Sequence, residues 1–415
     1  MMNLRPVRLA VFLAEKLHTG GGYQQSLNAA VLAQKLPRSV AEPVFFTLHK
    51  ENVPTLHSLG IDAIYISLPP ICQVWLKMRA LVPSNRILML VRRLVGASVF
   101  ERIFLKHSID LIYFLSPTSL ATSLDELNYI TTVWDLCHRD HVEFPEVRFG
   151  REFEARENLY RRLLPKAVGV FVDSPLGKSN VVRRYTVDDE RVHIMPFMPS
   201  ISTALAGHAY QAGYVDIAEK YQLDIPYVFY PAQFWAHKNH VYLLEGLTAL
   251  EQQFGRNVGA IFSGKDEGNM AHVKKVVSDL GLQDRVRFAG FVPAAEIPYL
   301  YRQSLALVMP TYFGPTNLPP LEAFSLGVPV LYSDMAGLRD QVGEAALLMD
   351  LSDPASMARH LDALLTNPQL REQLVQRGRE VLSRNDDRSR LSVLTSVVVE
   401  FQRKRACWGL TAPAE

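Results

Sequence analysis

Pro310-Thr311-Tyr312-Phe313-Gly314-Pro315-Thr316-Asn317-Leu318-Pro319-Pro320-Leu321-Glu322-Ala323-Phe324-Ser325-Leu326-Gly327-Val328-Pro329-Val330 reads as a loop, a short helix, a stop and a strand, entered from the apolar run 306–309. Thr316 or Asn317 can cap the helix, and prolines are tolerated in its first turn. Gly327 suits the position just past the last turn, after which Val328 opens the next strand. The amides near Asn317 and Leu318 would form an anion site at the helix start. Glu322, one turn in, would face the same crevice. A carboxylate beside a phosphate is reasonable if it grips neutral hydroxyls, such as those of a ribose. The plainer alternative is a surface glutamate.

The same alternation runs outward through both halves. Apolar, β-branched or aromatic runs fall at 7–13, 44–47, 111–115, 130–134, 168–172 and 192–196, then at 227–230, 260–263, 286–288, 306–309 and 328–332. They are apolar throughout, as strands covered on both faces are. Helix-like segments between them imply α/β architecture with parallel, doubly wound sheets. At 415 residues the chain exceeds one ordinary core, and two domains of about 200 residues are the natural division. Pro199, Gly207, Gly213 and Pro226 interrupt the pattern, which places the interdomain linker at 197–225.

Composition excludes several classes. Lys and Arg number 44 against 42 Asp and Glu, so no global field marks a nucleic-acid binder. Cys72, Cys137 and Cys407 are far apart, which argues against a disulfide framework or a structural zinc site and fits a reducing compartment. The start reads as a first strand and not as a signal peptide. No apolar stretch reaches the ~20 residues that span a bilayer. The segment 71–106 is basic, with Lys77, Arg79, Arg86, Arg92, Arg93, Arg102 and Lys106 against Glu101 alone. Two readings stand for it: a peripheral contact with an anionic leaflet, or a domain helix with a solvated basic face.

Three further motifs carry chemistry. His18-Thr19-Gly20-Gly21-Gly22-Tyr23 follows the first strand. Its glycines would let backbone amides approach an anion, unless the loop is simply a flexible turn. Tyr230-Pro231-Ala232-Gln233-Phe234-Trp235-Ala236-His237-Lys238-Asn239-His240 places Lys238 near a helix N-terminus at the carboxyl edge of the second sheet. That end is already positive, so an anionic ligand supplies the reason for a cation there. Trp134-Asp135-Leu136-Cys137-His138-Arg139-Asp140-His141 brings acids and histidines close together. It invites a metal reading and also fits a polar loop.

Together these pieces resemble the large retaining glycosyltransferase family 4, group 1 type, with the GT-B fold of two Rossmann-like domains facing a cleft. The match rests on Lys238-Asn239 after a strand, Pro319-Pro320-Leu321-Glu322-Ala323 with Gly327 and Pro329-Val330, and the glycine loop. Ser263-Gly264, the run from Val286 to Val292, the tail from Glu344 to Asp350, Val172-Asp173-Ser174 and Ile194-Met195-Pro196-Phe197 also fit. The resemblance implies an acceptor-side domain at 1–205, a donor domain at 206–390 and a terminal helix at 391–415 crossing back to the first domain. It implies that Lys238 binds the donor diphosphate and Glu322 the ribose. Amides at Asn317 and Leu318, with Thr316, would meet the phosphate, and Gly20, Gly21 and Gly22 would close over it. Gly264 belongs to a matching piece, and Val292 and Ile297 fall where the family contacts the base.

Two departures stand out. The first acid of the family's E-x7-E pattern falls at Gly314, and the family's arginine before the lysine is replaced by Gln233, which lacks its charge. Asp135 and His138 are the members of their cluster expected to touch acceptor or sugar, with no metal and no cofactor. The resemblance thus implies a metal-independent enzyme that moves a sugar from a nucleoside diphosphate to a saccharide or lipid-linked saccharide acceptor. Front-side attack assisted by the leaving phosphate would retain configuration. Cell-surface polysaccharide or lipopolysaccharide synthesis, in the cytoplasm or at the inner membrane face, is the expected setting. The alternatives are a non-catalytic GT-B protein that binds nucleotide or assists assembly, and a nucleotide-sugar epimerase.

Overall fold

The computed structural model describes residues 5–17, 22–69, 98–201 and 215–408. Gly20, Gly21, the greater part of the basic segment and the middle of the expected linker lie outside them. Contacts divide the chain into two compact units. Met1–Leu136, Phe153–Pro196 and Asp387–Glu415 form the first, and Cys137–Glu152 with Phe197–Asp386 the second.

The first unit carries β1 (Val7–Leu13), β2 (Ala41–Thr47), β3 (Ala63–Tyr65), β4 (Leu111–Phe114), β5 (Asn128–Val133), β6 (Gly169–Val172) and β7 (Val192–Ile194). They pair in parallel in the order β3-β2-β1-β4-β5-β6-β7. Phe12 of β1 meets Phe100, Phe104 and Phe114 edge to face, at 5.4, 5.9 and 5.4 Å between ring centroids. This geometry suits the opposed charge of ring edge and ring face. The helix Asp387–Arg405 belongs to this unit, where Gln402 donates to the carbonyls of Arg5 and Ser39.

The second unit carries β8 (Tyr227–Pro231), β9 (Gly259–Ser263), β10 (Val286–Gly290), β11 (Ala306–Met309), β12 (Val330–Ser333) and β13 (Ala346–Met349). Their order, β10-β9-β8-β11-β12-β13, repeats the plan of the first sheet, again all parallel. Both sheets are therefore α/β and doubly wound, as the apolar runs imply. The runs miss β3 and β13. The first spans three half-covered residues at a sheet edge, and Ala346-Leu347-Leu348-Met349 has no β-branched residue to separate strand from helix.

The end of the basic segment that is described, helix Val99–Lys106, is a domain helix. Phe100 and Phe104 are fully buried, and the buried Glu101 carboxylate accepts the amides of Asp125, Glu126 and Leu127. Among the described residues no helix is long and apolar enough to cross a membrane.

Two features of the second core have measurable consequences. Helix His240–Phe254 packs on helix Pro354–Thr366 so closely that a Cβ at Gly246 would lie 2.6 Å from Met357 Cε. Gly246→Leu is expected to lower stability by roughly 1–3 kcal/mol in urea unfolding, whereas an unchanged midpoint would mean that Met357 yields without cost. His240 is fully buried between Phe234 and Tyr230, with ring centroids at 4.5 and 4.8 Å. Burial, then the nearby Lys238 charge, pushes its imidazole down from 6.5 to about 3. The unfolded imidazole takes a proton below the upper value and the folded one does not. Stability present above it is therefore lost as pH falls toward the lower one. His240→Phe should flatten the decline of the urea midpoint between about pH 7.5 and about pH 5, and equal slopes in the two proteins would exclude this origin.

Candidate functional site

In an open parallel sheet the strand order reverses at one place, and the crossovers on either side diverge to leave a crevice at the carboxyl ends. In the second unit that place lies between β8 and β11, which are hydrogen-bonded neighbours. The chain leaving β8 forms the short turn Ala236–Lys238, then Asn239 in the left-handed region at φ 52°, then helix His240–Phe254. Asn239 caps that helix through the amide of Tyr242 at 3.4 Å. The chain leaving β11 forms the loop to Asn317 and then helix Leu318–Leu326. The two segments meet where Lys238 Nζ donates to Asn317 Oδ1 at 3.4 Å.

Asn317 is held on every side. Its side-chain amide donates to the Phe313 carbonyl at 3.0 Å and to the Tyr332 hydroxyl at 2.7 Å. Its backbone amide donates to Gln341 Oε1 at 3.0 Å, and Gln341 Nε2 returns a bond to its carbonyl at 2.6 Å. Asn317 therefore stands at the cap position without making a side-chain cap, and its own amide is engaged with Gln341 instead of lying open to an anion. Leu318 supplies the first helical amide, because Pro319 and Pro320 have none. Thr316 is half-buried in the same loop.

Glu322 sits one turn into the helix, half-buried, and accepts from the Tyr301 hydroxyl at 3.1 Å. Burial and the adjacent carboxylate hold that phenol protonated, well above its ordinary range. Gln233 is tied sideways, accepting from Trp235 Nε1 at 3.1 Å and donating to Glu267 at 3.4 Å. Gly264 has φ +149°, and a Cβ there would lie 2.4 Å from the Ala232 carbonyl oxygen, so only glycine lets these two turns approach. Val292 is buried, and Ile297 opens helix Ile297–Arg302, half-buried against the core.

Gly314 has a local reason. A Cβ at this position would lie 2.8 Å from Leu338 Cδ2, so the place of the family's acid is occupied by an apolar side chain. The Gly314 carbonyl accepts from the Cys137 thiol at 2.7 Å. Cys137 belongs to the segment Cys137–Glu152, which packs in this unit although β5 precedes it in sequence. Within that segment Glu146 accepts from the amide of His237 and from its ring Nδ1. The His237 ring stacks on Phe313 at 3.8 Å, and His141 stacks on the other side of this cluster, 5.7 Å from Phe313. Sequence reading does not reach these contacts, since 91 residues separate Glu146 from His237.

Asp135 and Gly22 belong to the first unit and His138 to the second. Asp135 is paired with Arg156 at 2.6 Å, and His138 is fully buried in the short helix Cys137–Asp140. Gly22 opens helix Gly22–Gln34, where a Cβ would lie 2.5 Å from the Trp134 ring. Its glycine is therefore required by packing against Trp134. Among the described residues no group of three or more His, Cys, Asp or Glu is arranged to hold a metal ion.

Within the second unit, then, Lys238, Asn317, Thr316 and Leu318 come together at the switch point. A cation, a helix start and a carboxylate-bearing helix face at one sheet edge suit an anion joined to a hydroxylated group.

Comparison with known proteins bears on this unit most directly. The chain is 27% identical to O-antigen chain mannosyltransferase B of Escherichia coli over 221 residues, 52% of this chain and 56% of that protein. It is 39% identical to D-inositol 3-phosphate glycosyltransferase of Frankia alni over 102 residues, 24% of this chain and 25% of that protein. The chain thus spans about half the length, or less, of these curated relatives. Among solved structures, Anabaena HepE in complex with UDP-glucose superposes with a TM-score of 0.68 at 14% identity, covering 96% of this chain and 99% of that one. A glycosyltransferase from Rickettsia africae gives 0.66 at 15% identity, with 96% and 98% covered. At such identities the likeness concerns the fold, which is that of the GT-B glycosyltransferases. The family model for glycosyl transferases group 1 matches residues 217–381. That match lies within the second unit, the one that carries Lys238, Asn317 and Glu322.

Proposed function

We propose that the protein is a retaining glycosyltransferase that moves a sugar from a nucleoside diphosphate to an acceptor hydroxyl. The observation that carries this reading is the meeting of Lys238 with Asn317 at the switch point, inside the segment that matches the family. The anomeric bond breaks as the diphosphate leaves, and the difficulty is the negative charge that develops on it. Lys238 and the amide at Leu318 meet that charge already in place, where a preorganised dipole costs no reorganisation. Glu322 grips the ribose hydroxyls, with Tyr301 fixing its carboxylate. The acceptor oxygen bonds to the anomeric carbon as the departing phosphate takes its proton, so the step needs no protein nucleophile, and the charge on the diphosphate is assigned to Lys238 and the Leu318 amide in place of a metal.

One relative, an O-antigen chain mannosyltransferase, supports a saccharide acceptor and a place in cell-surface polysaccharide synthesis, and the proposal extends to a saccharide carried on a lipid. The setting proposed is the cytoplasm, or the inner face of the membrane. A second reading, nucleotide binding without transfer, is favoured by the two departures: Leu338 fills the space of the family's first acid, and Gln233 stands where the family has an arginine.

Thermal melting against UDP, GDP, ADP, CMP and TDP should show one diphosphate raising the midpoint, and Lys238→Ala and Glu322→Ala should each reduce that rise. Lys238→Ala removes one charge-assisted contact and should lower turnover about 10–100-fold. Wild-type turnover in that variant would sink the assignment. Binding without release of sugar from any donor would favour the second reading.

A further inference from the structure

The turn that carries Lys238 has only three residues, Ala236–Lys238, set between extended Trp235 and left-handed Asn239. So short a turn has little rigidity of its own, and a lysine on it has a long flexible stem. Its middle residue, His237, is nonetheless held from four directions. The Glu146 carboxylate accepts both its amide, at 2.9 Å, and its ring Nδ1. Its carbonyl accepts the Tyr312 amide at 2.9 Å and the Thr311 hydroxyl at 3.4 Å. Its ring lies on Phe313 with an angle of 11° between planes. The Phe313 carbonyl accepts from Asn317, whose side-chain oxygen faces Lys238 Nζ.

We infer that Glu146, acting through His237, is a positioning residue for Lys238, and that this closed circuit of contacts fixes the lysine for a diphosphate. The donor part of the inference rests on the function proposed above. The Glu146 and His237 side chains are only 9% and 10% exposed, so water does not compete strongly for the pair. Burial works to raise the Glu146 carboxyl, but the hydrogen bonds from His237 outweigh it and hold the group below its ordinary value. Glu146 is thus a charged acceptor with both donors supplied by the residue next to Lys238. Its role is distinct from binding, because nothing in the proposed reaction requires it to touch the donor.

The test uses the full chain with Glu146→Ala, Glu146→Gln, Lys238→Ala and the Glu146→Ala/Lys238→Ala double variant. The affinities of UDP, GDP, ADP and TDP are measured by calorimetry. Acylation of the Lys238 amine by an N-hydroxysuccinimide ester is followed by peptide mass spectrometry. Glu146→Ala should weaken the diphosphate that the wild type binds by about tenfold. It should also speed acylation of Lys238 by about threefold or more, as the amine leaves Asn317. Glu146→Gln, whose carboxamide oxygen still accepts one bond, should recover part of both, and it serves where the alanine variant does not fold. In the Lys238→Ala background the Glu146 effect on binding should vanish, whereas a merely structural role would add to it. Additive losses, or wild-type acylation in both Glu146 variants, overturn the inference and leave the donor reading standing. A wild type that binds none of these diphosphates overturns the donor reading, and the acylation rates then decide the positioning by themselves.

Discussion

A parallel strand cannot be reached by a hairpin, so every neighbour in these two sheets is joined through a crossover that covers one face. The rest of the molecule depends on this constraint. It makes the central strands apolar on both sides, and it sends all strand ends of a sheet to one edge. At the single reversal in strand order the covering segments part. In the second unit the reversal falls between β8 and β11, and the chains leaving those two strands carry Lys238 and Asn317. The meeting of residues 79 positions apart thus follows from topology before any side chain is considered.

Side chains then decide how firmly the place is built. Asn317 gives its backbone to Gln341, its amide to Phe313 and Tyr332, and its oxygen to Lys238. A half-buried polar group so fully engaged has few alternative arrangements, which makes such a network rigid. The same logic holds at Glu322, where Tyr301 donates from a fully buried ring. Close backbone approach does the remaining work. Gly264 against Ala232 and Gly22 against Trp134 leave no room for a Cβ.

Much of this was legible in the chain itself. The doubly wound architecture followed from apolar runs without alternation, and β1 and β11 coincide with the runs that announced them. The helix start at Leu318 was legible from Asn317 and two prolines. What escaped has physical reasons. β3 is too short to show a period, and β13 is equally good helix sequence. The engagement of the Asn317 amide depends on Gln341, 24 residues away on the helix Leu338–Val342, and no local pattern announces it. Glu146 lies in no motif the sequence singles out, and only tertiary packing reveals its partner. The three glycines after β1 illustrate the limit: the pattern suggested an anion loop, while Gly22 owes its small size to an indole ring.

The contact between Gly314 and Leu338 also constrains how this loop can change. A carboxylate at 314 would have to enter space that Leu338, itself 1% exposed, already fills. Position 314 grows only if the Leu338 side chain turns aside or shrinks, and shrinking it leaves a void in a packed core. The two positions are therefore epistatic. An acid introduced at 314 is felt at a core position 24 residues away in the chain.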